Sequence, residues 1–214
     1  MTGIDNDAIR DEILLAALSL VPFDGWGETA LVRGAEDVGC DTATARRLFQ
    51  GGAAEMIACH SRYADRLMLE ELERVDLASM KVRERIIAAV RIRLKQNVEH
   101  REAVLRVLSL LALPQHNALA TRLLYRTVDA MWYAAGDTST DYNFYSKRAL
   151  LAGVYSTTLL YWLNDKSDGF EATWAFLDRR VADVLKVPKV MDCIGRISDR
   201  LPDPFRMLRS VRST

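Results

Sequence analysis

Apolar residues recur along this chain at the three- and four-residue spacing of helices, and strand-like alternation is absent. Ile9, Ile13, Ala16 and Leu20 predict a first helix, capped by Asp7 and followed at its end by Pro22. Trp26-Gly27 reads as a turn. A short helix follows from about Glu28 to Asp37, broken by Gly39. Asp41 or Thr42 caps another, ending near Phe49, and Gly51-Gly52 opens a long helix over about 53–75. Residues 26–49 therefore have the form of a helix-turn-helix.

The second half continues in the same period. In 81–95, Ile86, Ile87, Val90 and Leu94 are expected to face inward, and Arg83, Arg85, Arg91 and Arg93 to form a solvated face. Helices are expected over about 101–113, stopped by Pro114, and over 118–135, stopped by Gly136. After the polar turn 137–141, a helix from Tyr142 to Leu163 is apolar nearly all round from Ala149 onward, so burial on more than one side is expected. Asp168 with Glu171 has the spacing of a capping box. The next helix carries Phe170, Trp174, Leu177, Val181 and Val184 in one stripe and ends by Pro188. A helix over 190–200 and an amphipathic tail complete the reading. In the tail Phe205, Leu208 and Val211 alternate with Arg206, Arg209 and Arg212, the make-up of a helix lying in a lipid–water interface. The expected class is all-α, divided into a helix-turn-helix module at 1–52, a helical bundle at 53–188 and a membrane-associating tail at 189–214.

Charge changes this picture in one respect. Acidic and basic residues balance at 29 each, but residues 1–60 hold ten acidic and four basic side chains. A helix-turn-helix grips DNA by neutralising phosphates with Lys and Arg. Here Arg46 and Arg47 stand beside Glu36, Asp37 and Asp41, so DNA is not expected as a partner. Three widely spaced cysteines, Cys40, Cys59 and Cys193, suggest a reducing compartment. The acidic start has no signal-peptide character. The longest apolar run, about fifteen residues around 149–163, falls short of the roughly 20 that span a bilayer.

Motifs for catalysis are missing. The histidines His60, His100 and His116 fit no metal-ligand spacing, and adjacent Cys59 and His60 would point about 100° apart on a helix. No nucleophile elbow, phosphate loop, dinucleotide fingerprint or di-iron carboxylate pattern occurs. Asp137 and Asp141 are read as caps rather than acid–base groups. No enzyme and no cofactor are expected. Phe144, Arg148, Leu151 and Tyr155 fall on one line of their helix, and aromatics with an Asp and an Arg at its entrance have the composition of an interface anchor.

Residues 10–60 resemble the N-terminal module of TetR-type repressors through AALSL, GWGETALVRGAEDVGC and ATARRLF. Those repressors usually carry an aromatic and a Lys on phosphates where this chain has Arg46 and Gly52. LSLLALP (108–114), DAMWYAAGDTSTDYNFYSKRALLAGVYSTTLL (129–160) and FEATWAFLDRRV (170–181) resemble the TetR-like accessory proteins of ubiquinone biosynthesis, the ninth coenzyme Q protein family. That resemblance implies a TetR-like all-α fold and a lipid pocket for isoprenoid quinone precursors. It also implies association with the demethoxyubiquinone hydroxylase and a C-terminal membrane helix. The family's partner-facing patch falls on Asp141, Phe144, Tyr145 and Arg148. Phe144 stands where mitochondrial relatives tend to have Trp, and Lys147 stands where an Arg pair is common.

Size and inferred direction give Leu111, Met131, Trp132, Leu151, Val154 and Tyr155 as lipid-pocket candidates. Phe205, Arg206, Leu208, Arg209, Val211 and Arg212 are the membrane-associating candidates. A homodimer through the last two long helices is expected, in a bacterial cytoplasm on the membrane's inner face or on the matrix side of the mitochondrial inner membrane. The reading from a different class is a TetR-like transcription regulator with an apolar effector pocket.

Overall fold

In a computed structural model, which describes residues 3–137 and 142–184, nine α-helices follow one another: α1 (Gly3–Asp24), α2 (Glu28–Asp37), α3 (Thr42–Leu48), α4 (Gly52–Glu73), α5 (Val82–Lys95), α6 (Arg101–Leu111), α7 (Asn117–Ala134), α8 (Tyr142–Asn164) and α9 (Glu171–Val184). Among the described residues there is no strand. The expected helix at 190–200, the tail residues Phe205–Arg212, Cys193 and Asp141 lie outside the described residues.

The first three helices form as the local chemistry requires. Gly39, at φ +71°, turns the chain after α2, and its N–H bonds the Glu36 carbonyl. Asp41 caps α3 by accepting from Thr44 N at 2.9 Å, and bonding from the Thr44 side chain first, then from its backbone, holds the carboxyl below the usual range. Two expectations at α1 are corrected. Its buried line is Ile13, Leu14, Ala17, Leu18 and Val21, one position round from the stripe read through Ala16. Pro22 lies inside the last turn rather than beyond it. There its missing N–H forfeits a single helical bond, and Gly25 N closes the turn onto Val21 O at 2.9 Å.

Two cores share α4. One gathers α1–α3 around Ile13, Leu31, Phe49, Met56 and Ile57, and takes in Ala103 and Val107 of α6. The other joins the second half of α4 to α5 and α7–α9 around Met68, Leu72, Val90, Met131 and Trp162. The first core thus continues past residue 52. Trp26 ties the module to the bundle, its indole N–H donating to Ala103 O at 3.0 Å.

The α7–α8 hairpin is built by glycine. Gly136, at φ +84°, sends its N–H to Tyr133 O, and Asp137 N reaches Trp132 O, both at 3.0 Å. These are the two bonds of a Schellman motif. The capping box expected at Asp168 and Glu171 is not what starts α9. Instead Asp165 accepts from Thr173 N at 2.8 Å and from Thr173 Oγ1, and Ser167 Oγ accepts from Ala172 N at 3.0 Å. Burial works to raise the Asp165 carboxyl, but the bonds from Ser167 and Thr173 prevail and hold it well below the usual carboxylate range. Helix α8 buries Leu151, Val154, Tyr155, Thr158 and Trp162, while Leu160 remains 55% exposed beside Tyr161. Its apolar surplus is therefore not covered on every side.

Candidate functional site

The α5 face assigned to solvent contains a buried charge. Arg93 lies three residues after Val90 and seven after Ile86, both buried, so it points into the bundle. Its Nε donates to Asp65 Oδ1 at 3.0 Å, and Thr127 Oγ1 donates to the same oxygen at 2.8 Å. Asn97, one turn on, donates to the Arg93 carbonyl and presents its Oδ1 to His60 Nε2, both at 3.0 Å. That bond places the proton of a neutral His60 on Nε2. Burial first, and the Arg93 charge next, push His60 down to about 3. A charge is retained here because it is paired and hydrogen-bonded; alone at this depth it would not be.

This polar cluster forms one end of a cavity of about 370 Å³, enclosed by α4–α8. Its inner end holds His60, Arg93, Asn97, Thr127 and Tyr155, all buried. Its middle is walled by Ile57, Leu94, Val104, Val107 and Leu123, and by fully buried Trp162. Towards solvent it is lined by Leu108, Leu111, Ala120, Leu124, Leu159 and Leu160, which are partly or largely exposed. The cavity thus has a polar floor and a leucine-rich mouth. Its size is at the low end of small-ligand sites, roughly 300–1,000 Å³.

Of the six lipid-pocket candidates, Leu111 and Tyr155 line this cavity. Met131, Leu151 and Val154 are packed into the second core. Trp132 is turned to the hairpin, where its indole N–H donates to Lys147 O at 3.1 Å and the Lys147 ammonium lies 5.6 Å from its ring centre. The misplacement has a simple cause: size and apolarity mark burial, and a packed core and a cavity wall share both. Arg93, Asp65 and Thr127 were missed altogether. The available signal was a charge in register with an apolar stripe, Arg93 with Ile86 and Val90, and Asp65 with Met68 and Leu72.

The partner-patch candidates divide. Tyr145 is 68% exposed and stands edge-on to the partly buried Phe144. Arg148 is 6% exposed and faces inward. Its Nε donates to Asp129 at 2.6 Å, its Nη1 to Asp137 and to the Phe144 carbonyl, each at 3.2 Å, and its guanidinium lies over the Phe144 ring at 3.3 Å. Lys147 joins Asp137 at 2.8 Å. Asp137 is therefore the buried anion that fastens the entrance of α8 to the end of α7. Arg148 positions Phe144 from beneath rather than reaching outward.

In the module, Arg46 is paired with Glu28 at 2.6 Å. Among the described residues no group of three or more His, Cys, Asp or Glu side chains could hold a metal ion, and no helix is long and apolar enough to cross a membrane.

Residues 118–188, which contain most of α7, all of α8 and α9 and the leucine mouth from Ala120 onward, match the family model COQ9. Over that stretch the chain is similar to COQ9. It is 38% identical over 190 residues to the rat protein named ubiquinone biosynthesis protein COQ9, mitochondrial, covering 85% of this chain and 60% of that protein. Similarity to the human protein of the same name is 37% over 190 residues, covering 85% and 59%. The chain thus spans about 60% of the length of these relatives. Among solved structures it resembles a TetR transcriptional regulator from Nitrosomonas europaea, with a TM-score of 0.67 and 24% identity, covering 83% of this chain and 98% of the other. That likeness establishes the TetR-like fold.

Proposed function

We propose that this chain is a non-catalytic accessory protein of ubiquinone biosynthesis that takes an isoprenoid quinone intermediate into the α4–α8 cavity and presents it to the demethoxyubiquinone hydroxylase. The observation that carries the reading is the leucine-mouthed cavity within a chain whose relatives are named for ubiquinone biosynthesis. An isoprenoid quinone leaves the bilayer only if apolar surface elsewhere receives it, and burial contributes about 25 cal/mol per Å². A long tail exceeds 370 Å³, so its far end stays at the mouth or in the membrane. The basic, apolar segment Phe205–Arg212 holds the protein at that membrane, Arg206, Arg209 and Arg212 each adding about 1 kcal/mol near anionic lipid. The partner surface is the end of the α7–α8 hairpin, centred on Tyr145 with Phe144 behind it. A second copy covers the apolar strip of α8 and α9 where the stacked Tyr161–Phe176 pair lies.

The test uses the hydroxylase in liposomes containing its quinone substrate. Added chain should raise turnover. Tyr145→Ala should abolish the rise by losing the partner, and Leu124→Trp should abolish it by blocking the mouth, while still binding the hydroxylase. Tyr145 is the informative docking position, because Arg148→Glu also breaks the internal pairs to Asp129 and Asp137. Turnover unaffected by the wild-type chain, or by either substitution, contradicts the proposal.

A further inference from the structure

A cavity meant only for a hydrocarbon tail needs no donors, yet two of this one's lining residues have donors unused. The Tyr155 hydroxyl lines the floor, and among the described residues it makes no hydrogen bond. Arg93 spends only its Nε on Asp65; its two terminal nitrogens make no further hydrogen bond there. Trp162, on the wall, is 0% exposed, so its unpartnered indole Nε1–H is sealed in packing and not open to the cavity. Unused buried donors cost stability unless something accepts from them. The mouth offers mainly leucines.

We propose that the ligand enters head-first, with its neutral ring seated against Tyr155 and Arg93 and its apolar tail leaving between α6, α7 and α8. This rests on the reading of the cavity as the lipid site and adds the orientation of the ligand to it. The head is neutral because Asp65 already balances Arg93 and the buried imidazole of His60 lacks a charge, so an anion would be desolvated without a cation of its own. The head carries acceptors because both unused groups can donate. The seat also lies towards the hairpin. Thr127 and Tyr155 are the lining residues of α7 and α8 nearest in sequence to the turn, and Tyr155 follows Arg148 by seven residues, about 10 Å along the axis. Head-first entry thus brings the reactive ring to the partner end of the bundle and leaves the tail at the membrane end.

Three probes separate the possibilities by displacing the neutral fluorophore N-phenyl-1-naphthylamine from the full chain: a benzoquinone with a three-isoprene tail, the same tail ending in hydrogen, and a fatty acid of matched length. The quinone should bind wild type at least about tenfold tighter than the hydrocarbon. Tyr155→Phe, which keeps the ring and removes a hydroxyl that bonds nothing, should weaken the quinone roughly 3- to 10-fold and leave the hydrocarbon unchanged. Equal affinities for quinone and hydrocarbon would overturn head-first entry while leaving lipid binding intact. So would a Tyr155→Phe variant that binds the quinone as wild type does, with water rather than a head satisfying the floor. A fatty acid that outcompetes the quinone would overturn the neutral head. If no probe displaces the fluorophore, lipid binding itself falls, and the orientation with it.

Discussion

Where α2 crosses α1, a Cβ on Gly34 would lie 2.8 Å from the Ala17 nitrogen and 2.9 Å from its Cβ, so this crossing admits no additional methyl group. In the bundle, α4–α8 leave about 370 Å³ unfilled and bury charge and unpartnered donors around it. The module spends its charges on exposed pairs such as Arg46–Glu28; the bundle spends one on Arg93–Asp65, both buried. The α1–α2 crossing is packed to contact, and the bundle keeps an unfilled cavity beside a buried ion pair.

The sharpest way to break the comparison is to remove one member of each ion pair. Arg93→Met should cost roughly 3–5 kcal/mol by leaving the Asp65 carboxylate buried with Thr127 alone, and adding Asp65→Asn should recover part of it. Arg46→Met should cost less than about 1 kcal/mol, because its pair is exposed and screened. Urea denaturation of the three variants against wild type checks both; equal losses would erase the distinction between the regions.

Next comes pH. His60 has a pKa of about 3 in the fold, against an ordinary value near 6.5. Above about 6.5 both folded and unfolded chains hold it neutral and stability is intact. As pH falls towards 3, the unfolded chain takes up a proton that the folded chain refuses, and stability declines by roughly 1.4 kcal/mol per unit. Between pH 7.5 and 5.0 wild type should lose about 2 kcal/mol more than His60→Gln in urea melts. Parallel pH profiles would show that the cluster is not closed to water.

The smallest effects come from two helix glycines. Gly34→Ala meets Ala17 backbone and should lose about 1–2 kcal/mol, overpacking outweighing the gain in helix propensity. Gly153→Ala on α8 meets nothing within 4 Å and should gain about 0.5–1 kcal/mol. Thermal melts of the two read the packing of each region with the same substitution.

Helical periodicity made the elements legible, α2 to the residue, because a 3.6-residue period and a glycine stop are local signals. Where tertiary partners decide, the pattern failed. Arg93 was read with its neighbouring arginines, although Ile86 and Val90 already marked its side of α5. Asp168–Glu171 had the spacing of a cap, but Asp165 reaches Thr173 from eight residues away across a turn. Met131, Leu151 and Val154 show the limit most clearly. Nothing in a sequence of apolar residues says which contacts are filled by protein and which are left for a ligand.

The most direct test of the cavity as a lipid site is native mass spectrometry of the chain purified from a quinone-producing host, beside its Leu124→Trp variant. The account predicts an isoprenoid quinone or precursor bound to the wild type and missing from the variant. A wild type that stays empty while a lipid-binding control remains loaded, or an adduct equally abundant on both, would contradict it.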